Sequence, residues 1–193
     1  MFRNVYAVGF MIFIAIMAAF FITNIFFRDV NYYRTSMTLN AFLLPFIFAV
    51  GAFLSVTAYS RWKKALSFKE AYGRAFLPMF IGGLLSIATI FLYITYVDKD
   101  TKDLLNHQYI ESFRTSLEDE YQKSTKVFKP GSEEMKDVEK KYAEGKVRLA
   151  EKEKKNEDMF SGKYFLYVFA GYCAYFLILS LFFGSFFRTR SYQ

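Results

Sequence analysis

The chain has 193 residues, of which 54% are hydrophobic and 21% aromatic, and its formal net charge is +7. Residues 98–163 hold 15 basic and 16 acidic residues, so the positive excess lies beside the apolar runs, which argues against a nucleic-acid partner. The single cysteine, Cys173, excludes an intramolecular disulfide, and with a single histidine the chain has no zinc-ligand spacing, so we expect no metal and no cofactor.

The first apolar run covers residues 5–27 and lies between Arg3 and Arg28. A helix that crosses a bilayer needs about 20 apolar residues, and this run reaches that length. It is too long for the apolar core of a signal peptide and lacks a good cleavage site. The sequence therefore predicts a retained first transmembrane helix, in which the polar Asn24 hydrogen-bonds to a neighbouring helix or lies at the membrane interface and does not line a pathway.

The second apolar run covers residues 37–59 and follows a short polar connection, residues 28–36. Asn40 is a polar residue in its first turn, and Pro45 lies about two turns in, where a proline usually kinks a helix. Gly51 and Ser55 are four residues apart, a spacing of small side chains that lets another helix approach closely. We predict a second transmembrane helix with helix-packing candidates at Gly51 and Ser55.

The segment 61–74 separates the second and third apolar runs and is strongly basic. Glu70 is its single acid, against Arg61, Lys63, Lys64, Lys69 and Arg74. Lysine and arginine beside a membrane span resist translocation, so this loop is predicted to be cytoplasmic. Its apolar residues recur at spacings of three and four, which favours equally a short helix lying on the headgroups or an ordinary basic loop.

The third apolar run covers residues 75–97 and predicts a third transmembrane helix. Pro78 falls in its first turn, where a missing amide hydrogen costs little. Gly82, Gly83 and Ser86 form a small face suited to tight helix packing. The central parts of the first three runs carry no ionisable residue, which disfavours a pathway for ions or protons.

Residues 98–163 form the only sizeable segment outside the membrane. Two stretches with an apolar stripe are separated by Pro130-Gly131, and Ser132 followed by two glutamates is typical of a helix start. We predict a charged helical hairpin. Asp98 and Asp100 form a candidate surface acidic pair, which suits either a divalent cation or the first turn of a helix, and the pattern favours the helix start.

The last apolar run, residues 164–187, predicts the fourth transmembrane helix, with Gly171 and Ala174 as its helix-packing candidates. The predicted class is an all-α polytopic membrane protein. Its domains are residues 1–97, the hairpin 98–163 and residues 164–193. Both termini and the basic loop are predicted to be cytoplasmic, and the hairpin is predicted to lie outside. This orientation follows because basic residues beside membrane spans stay on the cytoplasmic side, and those counted here are Arg3, Arg61, Lys63, Lys64, Lys69, Arg74, Arg188 and Arg190.

Two short stretches resemble a known family: residues 66–72, Leu-Ser-Phe-Lys-Glu-Ala-Tyr, and residues 96–100, Tyr-Val-Asp-Lys-Asp, with the third apolar run between them. The pattern resembles four-span inner-membrane proteins of Gram-negative bacteria grouped as domain of unknown function 4199. The resemblance implies a multi-pass protein of the bacterial inner membrane. It transfers no catalytic residue, and it suggests a membrane glycosyltransferase as a partner.

These observations predict a structural or accessory subunit that docks another membrane protein or forms a homo-oligomer in the lipid bilayer. We expect no enzyme, because the only histidine, His107, lies in a charged segment and no nucleophile-base arrangement or phosphate-binding loop is present. A small transporter or channel-like subunit is one alternative. An accessory protein of a membrane glycosyltransferase is another.

Overall fold

The structure is a computed structural model that describes residues 2–63, 65–155 and 158–189. Lys64 and Arg190, two of the residues used above to orient the chain, lie outside the described residues. Every regular element within these ranges is helical. The α-helices are α1 (Val5–Phe26), α2 (Tyr32–Thr38), α3 (Leu44–Lys63), α4 (Phe68–Leu92), α5 (Lys99–Val127), α6 (Glu133–Lys154) and α7 (Gly162–Phe187), with π-helical turns at Leu39–Leu43 and Tyr93–Val97.

Four of the helical stretches are long and apolar enough to cross a membrane. They are Val5–Phe26, Tyr32–Lys63, Phe68–Val97 and Gly162–Phe187. Many large apolar side chains on these stretches remain exposed, as expected where lipid surrounds the helices. Within the described residues, the prediction of an all-helical protein with four helices long and apolar enough to cross a membrane is confirmed.

The described chain divides into two compact units, the first within Met1–Asp98 and Phe160–Gln193 and the second Lys99–Met159. In the first unit α4 is central, because it packs against α1, α3 and α7. Phe48 of α3 and Phe176 of α7 are fully buried with ring centroids 4.7 Å apart. The other buried members of this core come mostly from α1, α3 and α4: Val8, Ile12, Ile16, Ala52, Val56, Ala71, Ala75 and Met79.

In the basic segment 61–74, apart from Lys64, the structure shows neither a separate interfacial helix nor an ordinary loop throughout, because most of these residues belong to α3 or α4. Arg61 and Lys63 end α3, and α4 already begins at Phe68. The start is fixed by a capping box, in which the Ser67 hydroxyl accepts from the Glu70 amide and the Glu70 carboxylate accepts from the Ser67 amide. The Ser-x-x-Glu spacing is itself a sequence signal for a helix start, and it explains why α4 begins before the apolar run does.

Both prolines of the membrane helices lie inside helical stretches. Pro78 is buried inside α4, so its predicted place in a first turn is wrong, because the helix begins at Phe68. Pro45 is the second residue of α3 and lies two residues after the end of the π-helical turn Leu39–Leu43. Proline has no amide hydrogen and its ring crowds the preceding turn, so the wider π-helical turn accommodates it.

The second unit consists of α5, α6 and the short segments beside them. The rings of Tyr121 and Tyr142 stack with centroids 4.1 Å apart, and Arg114 pairs with Glu153 at 2.5 Å. Ser132 caps α6 by accepting from the Met135 amide at 3.2 Å. Gly131, at φ +83°, occupies the left-handed region in the turn between the helices, where glycine meets no steric cost.

Candidate functional site

Three of the predicted helix-packing glycines lie against the interior of the first unit. A Cβ at Gly51 would lie 2.4 Å from Cδ1 of Ile12, and one at Gly82 would lie 2.8 Å from the Gly9 carbonyl oxygen. A Cβ at Gly83 would lie 2.7 Å from Cζ of Phe176. Gly51 and Gly82 therefore leave the space that Ile12 fills, and Gly83 leaves the space that Phe176 fills.

The two serines of the same predicted set are buried in different hydrogen-bonding environments. The Ser86 hydroxyl donates to the Gly82 carbonyl oxygen at 2.7 Å. The Ser55 hydroxyl is fully buried and has no hydrogen-bond partner within the described part of the chain. The Ser180 hydroxyl of α7 is likewise fully buried and has no hydrogen-bond partner among the described residues. Ser180 was not among the residues predicted from the sequence.

Gly171 and Ala174, the helix-packing candidates of α7, are exposed and take no part in the packing of the first unit. A Cβ at Gly171 would meet no atom within 4 Å. Ala170 is exposed beside them, and Cys173 is half-buried. Only 11% of the most apolar part of α7 is buried, against 28–33% for the other three spans, so α7 is the least covered of the four.

A polar cluster joins the end of α1 to α2 and to the residue after the second π-helical turn. Asn24 donates to the Asp98 carboxylate at 3.1 Å and accepts from the Tyr32 hydroxyl at 3.0 Å. Arg28 lies 3.5 Å from the other oxygen of Asp98. Tyr32 is 1% exposed, so the cluster is closed on that side. Asn24 and Asp98 were both candidates from the sequence, but their contact with each other and with Tyr32 and Arg28 was not predicted.

Asn40 lies in the first π-helical turn and connects the second span to α7. Its amide nitrogen donates to the Ser36 carbonyl oxygen at 3.1 Å, and the Tyr172 hydroxyl donates to its backbone oxygen at 3.2 Å. The Tyr175 hydroxyl donates to the Pro45 carbonyl oxygen at 3.0 Å. The two tyrosines thus bind backbone oxygens in the irregular part of the second span, where helical bonding is interrupted.

Asp98 and Asp100 have different environments. The Asp98 side chain is 14% exposed and is engaged by Asn24 and Arg28, whereas Asp100 is exposed in the first turn of α5. His107 is also exposed. Within the residues that the structure describes, no group of three or more His, Cys, Asp or Glu side chains is placed to hold a metal ion.

Basic and aromatic side chains lie together at the end of the first unit that contains the connection between α3 and α4. The Arg74 guanidinium lies 3.7 Å from the ring centroid of Tyr59, and that of Arg3 lies 5.3 Å from the ring of Trp62. Thr189, after α7, donates its amide to the Leu66 carbonyl oxygen at 2.8 Å. The residues just before α1, the connection between α3 and α4 and the residues just after α7 therefore meet at one end of this unit.

A family model described as "Protein of unknown function (DUF4199)" matches residues 8–189. No curated protein and no solved structure matches the chain.

Proposed function

The chain belongs to the DUF4199 family, a family of unknown function, and we propose that it is a non-enzymatic structural or accessory subunit of a membrane assembly. In this proposal the exposed face of α7 that carries Ala170, Gly171 and Ala174 docks a second membrane protein or a second copy of the chain. The observation that carries the proposal is the exposure of these small residues on the least covered span.

The contrast between the glycines supports this role for α7. Side chains of the same chain already occupy the space beside Gly51, Gly82 and Gly83, whereas Gly171 has open space around it. Helices associate in lipid largely through close packing of their backbones, which small residues allow. Large exposed side chains flank the small ones, among them Tyr167, Leu177 and Ile178, and they would supply contact area beside the close approach.

The finer arrangement that we propose is a multi-pass protein of the bacterial inner membrane with both termini in the cytoplasm. The gathering of Arg3, Arg74 and the α3–α4 connection at one end of the first unit supports this orientation, because basic residues remain on the cytoplasmic side. The helices α5 and α6 would then form a charged helical hairpin outside the membrane. Protease added to sealed inside-out and right-side-out vesicles tests this, since cleavage of the hairpin only from the cytoplasmic face would contradict it.

The docking proposal can be tested with Cys173, the only cysteine in the chain. Full-length protein in native membranes is treated with a membrane-permeant bismaleimide and then purified in mild detergent. We expect a crosslinked product, either a dimer or a conjugate with a copurifying membrane protein. Gly171→Leu and Ala174→Leu should abolish the product, because a bulky side chain keeps the partner helix away.

Ala15→Leu provides the matched control, since Ala15 is also small and exposed but lies on α1. It should leave the crosslinked product unchanged. Recovery of monomer alone, with no enriched partner, would contradict the proposal. An equal loss of product in Ala15→Leu would also contradict it, because the effect would then follow from added bulk anywhere on the lipid-facing surface.

A further inference from the structure

Two arginines occupy one corner at the end of the first unit, each on an aromatic ring. Arg74 lies 3.7 Å from the ring centroid of Tyr59, and Arg3 lies 5.3 Å from that of Trp62. The two rings are themselves neighbours, with centroids 5.4 Å apart. The Arg74 guanidinium also donates a hydrogen bond to the backbone carbonyl oxygen of Arg3. The two arginines are therefore linked through neighbouring rings and through this hydrogen bond, and none of these contacts neutralises either charge.

No carboxylate among the described residues forms an ion pair with Arg3 or Arg74. Glu70, the only acid in this basic region of the chain, is engaged by Lys63 and by the Ser67 cap. A guanidinium carries five N–H donors, and stacking on a ring leaves its edge free to donate. The guanidinium groups of Arg3 and Arg74 therefore offer N–H donors at this corner, and no carboxylate of the described residues pairs with them.

The aromatic residues indicate the depth of this corner in the bilayer. Tyrosine and tryptophan side chains collect where the hydrocarbon meets the headgroups, because one part of each ring system is apolar and the other is polar. Trp62 is 59% exposed, lies in the last turn of α3 and contacts the ring of Tyr59. The lipid phosphates lie in this interfacial region, and planar guanidinium forks bind phosphate oxygens through paired hydrogen bonds.

From this geometry we propose that Arg3 and Arg74, with Trp62 beside them, form a binding site for the phosphate headgroup of an anionic phospholipid. The two guanidinium groups bind the phosphate oxygens, and the exposed indole lies against the glycerol and the first acyl carbons. Basic pockets between membrane helices are suited to acidic headgroups for the same electrostatic reason. The site is separate from the α7 face and does not depend on docking there.

Trp62 is the only tryptophan in the chain, so its fluorescence reports on this corner alone. The full-length protein is reconstituted into phosphatidylcholine vesicles that contain brominated phosphatidylglycerol or, in a parallel series, brominated phosphatidylcholine. Bromine quenches tryptophan on contact. We expect the anionic lipid to reach half-maximal quenching at a mole fraction roughly thirtyfold lower, the factor that corresponds to ~1 kcal/mol for each of the two arginines near anionic lipid.

Arg3→Gln and Arg74→Gln should each reduce the ratio to about fivefold, and the double variant should bring the two quenching curves together. Arg188→Gln is the matched control: it removes one charge from an exposed residue at the same end of the unit, and it should leave the thirtyfold ratio in place. If Arg74→Gln does not fold, Arg3→Gln decides the question, because Arg3 precedes α1 and is exposed.

Three results would overturn the proposal. Equal quenching by the two lipids in the unaltered protein would show that the corner does not select anionic headgroups. An equal effect of Arg188→Gln would show that only the summed surface charge attracts the lipid. A change in Trp62 fluorescence caused by inorganic phosphate in pure phosphatidylcholine vesicles, as large as that caused by phosphatidylglycerol, would assign the site to free phosphate instead.

Discussion

Asn24 of α1 donates a hydrogen bond of 3.1 Å to the carboxylate of Asp98, which lies 74 residues later in the chain at the end of the third span. The same carboxylate lies 3.5 Å from Arg28, and Asn24 accepts from the buried Tyr32 hydroxyl at 3.0 Å. The bond therefore connects the ends of the first and third spans through groups that water reaches poorly. Asp98 has the role of a helix-connecting residue.

The first prediction concerns the loss of this carboxylate. Asp98→Ala removes the acceptor of Asn24 and leaves Arg28 without its partner, so we expect the free energy of unfolding to fall by about 1–2 kcal/mol. The measurement is unfolding by SDS titration from mixed micelles. Asp100→Ala is the control, because Asp100 is exposed and should change the free energy by less than about 0.5 kcal/mol. Equal effects of the two substitutions would contradict the assigned role.

The second prediction compares two glycines of α4. A Cβ at Gly82 would lie 2.8 Å from the Gly9 carbonyl oxygen, whereas one at Gly73 would meet no atom within 4 Å. Gly82→Ala should therefore lower the free energy of unfolding by about 1–3 kcal/mol, because backbone must move to relieve the overlap. Gly73→Ala should leave it unchanged or raise it by up to about 1 kcal/mol, since alanine is the better helix former.

The same SDS titration measures both glycine variants. Opposite signs for the two substitutions would support the observed approach of α1 to α4. A stable Gly82→Ala variant would show that α1 and α4 are not in close contact at this point.

The third prediction concerns the helix start at Phe68. Ser67→Ala removes the hydroxyl that accepts from the Glu70 amide, so we expect a loss of about 1 kcal/mol in the free energy of unfolding. Faster hydrogen exchange should be confined to the first turns of α4. Ser67→Thr keeps a capping oxygen and should restore most of the protection. No difference between the alanine and threonine variants would argue that the cap does not fix this helix end.

The fourth prediction concerns acid and the second unit. The hydrogen bond from Tyr142 lowers the pKa of Glu118, and the one from Lys141 lowers the pKa of Asp137. Backbone and Ser132 hydrogen bonds lower the pKa of Glu134. Each lowered pKa contributes stability that is present above the unfolded value of about 4 and is lost as the pH falls through the folded value.

We therefore expect the amides of α6 to lose protection from hydrogen exchange between about pH 5 and pH 3, after correction for the intrinsic exchange rate. The loss should be modest, because these carboxylates are exposed. Tyr142→Phe should make the loss smaller, since it removes the hydrogen bond that lowers the pKa of Glu118. Unchanged protection over this pH range in the unaltered protein would contradict the prediction.

Two glycines show where inference from the sequence stopped. Gly83 and Gly171 were predicted as helix-packing residues on the same ground, a small side chain within an apolar run. The structure places Gly83 against Phe176 and leaves Gly171 exposed. Periodicity indicates that a helix has a small face, but the neighbour that fills the face comes from a distant part of the chain. The start of α4, by contrast, was readable from the Ser67-x-x-Glu70 spacing, which acts locally.

By itself, the sequence determined that the protein is helical and that four segments can cross a membrane. Those properties follow from the length and polarity of continuous segments, because the bilayer acts on each segment separately. Only the tertiary structure decided that Asn24 binds Asp98, that Ile12 lies against Gly51 and Gly82, and that Arg3 and Arg74 share one corner. These contacts join residues distant in sequence, and helix packing specifies them through the shapes of both surfaces at once.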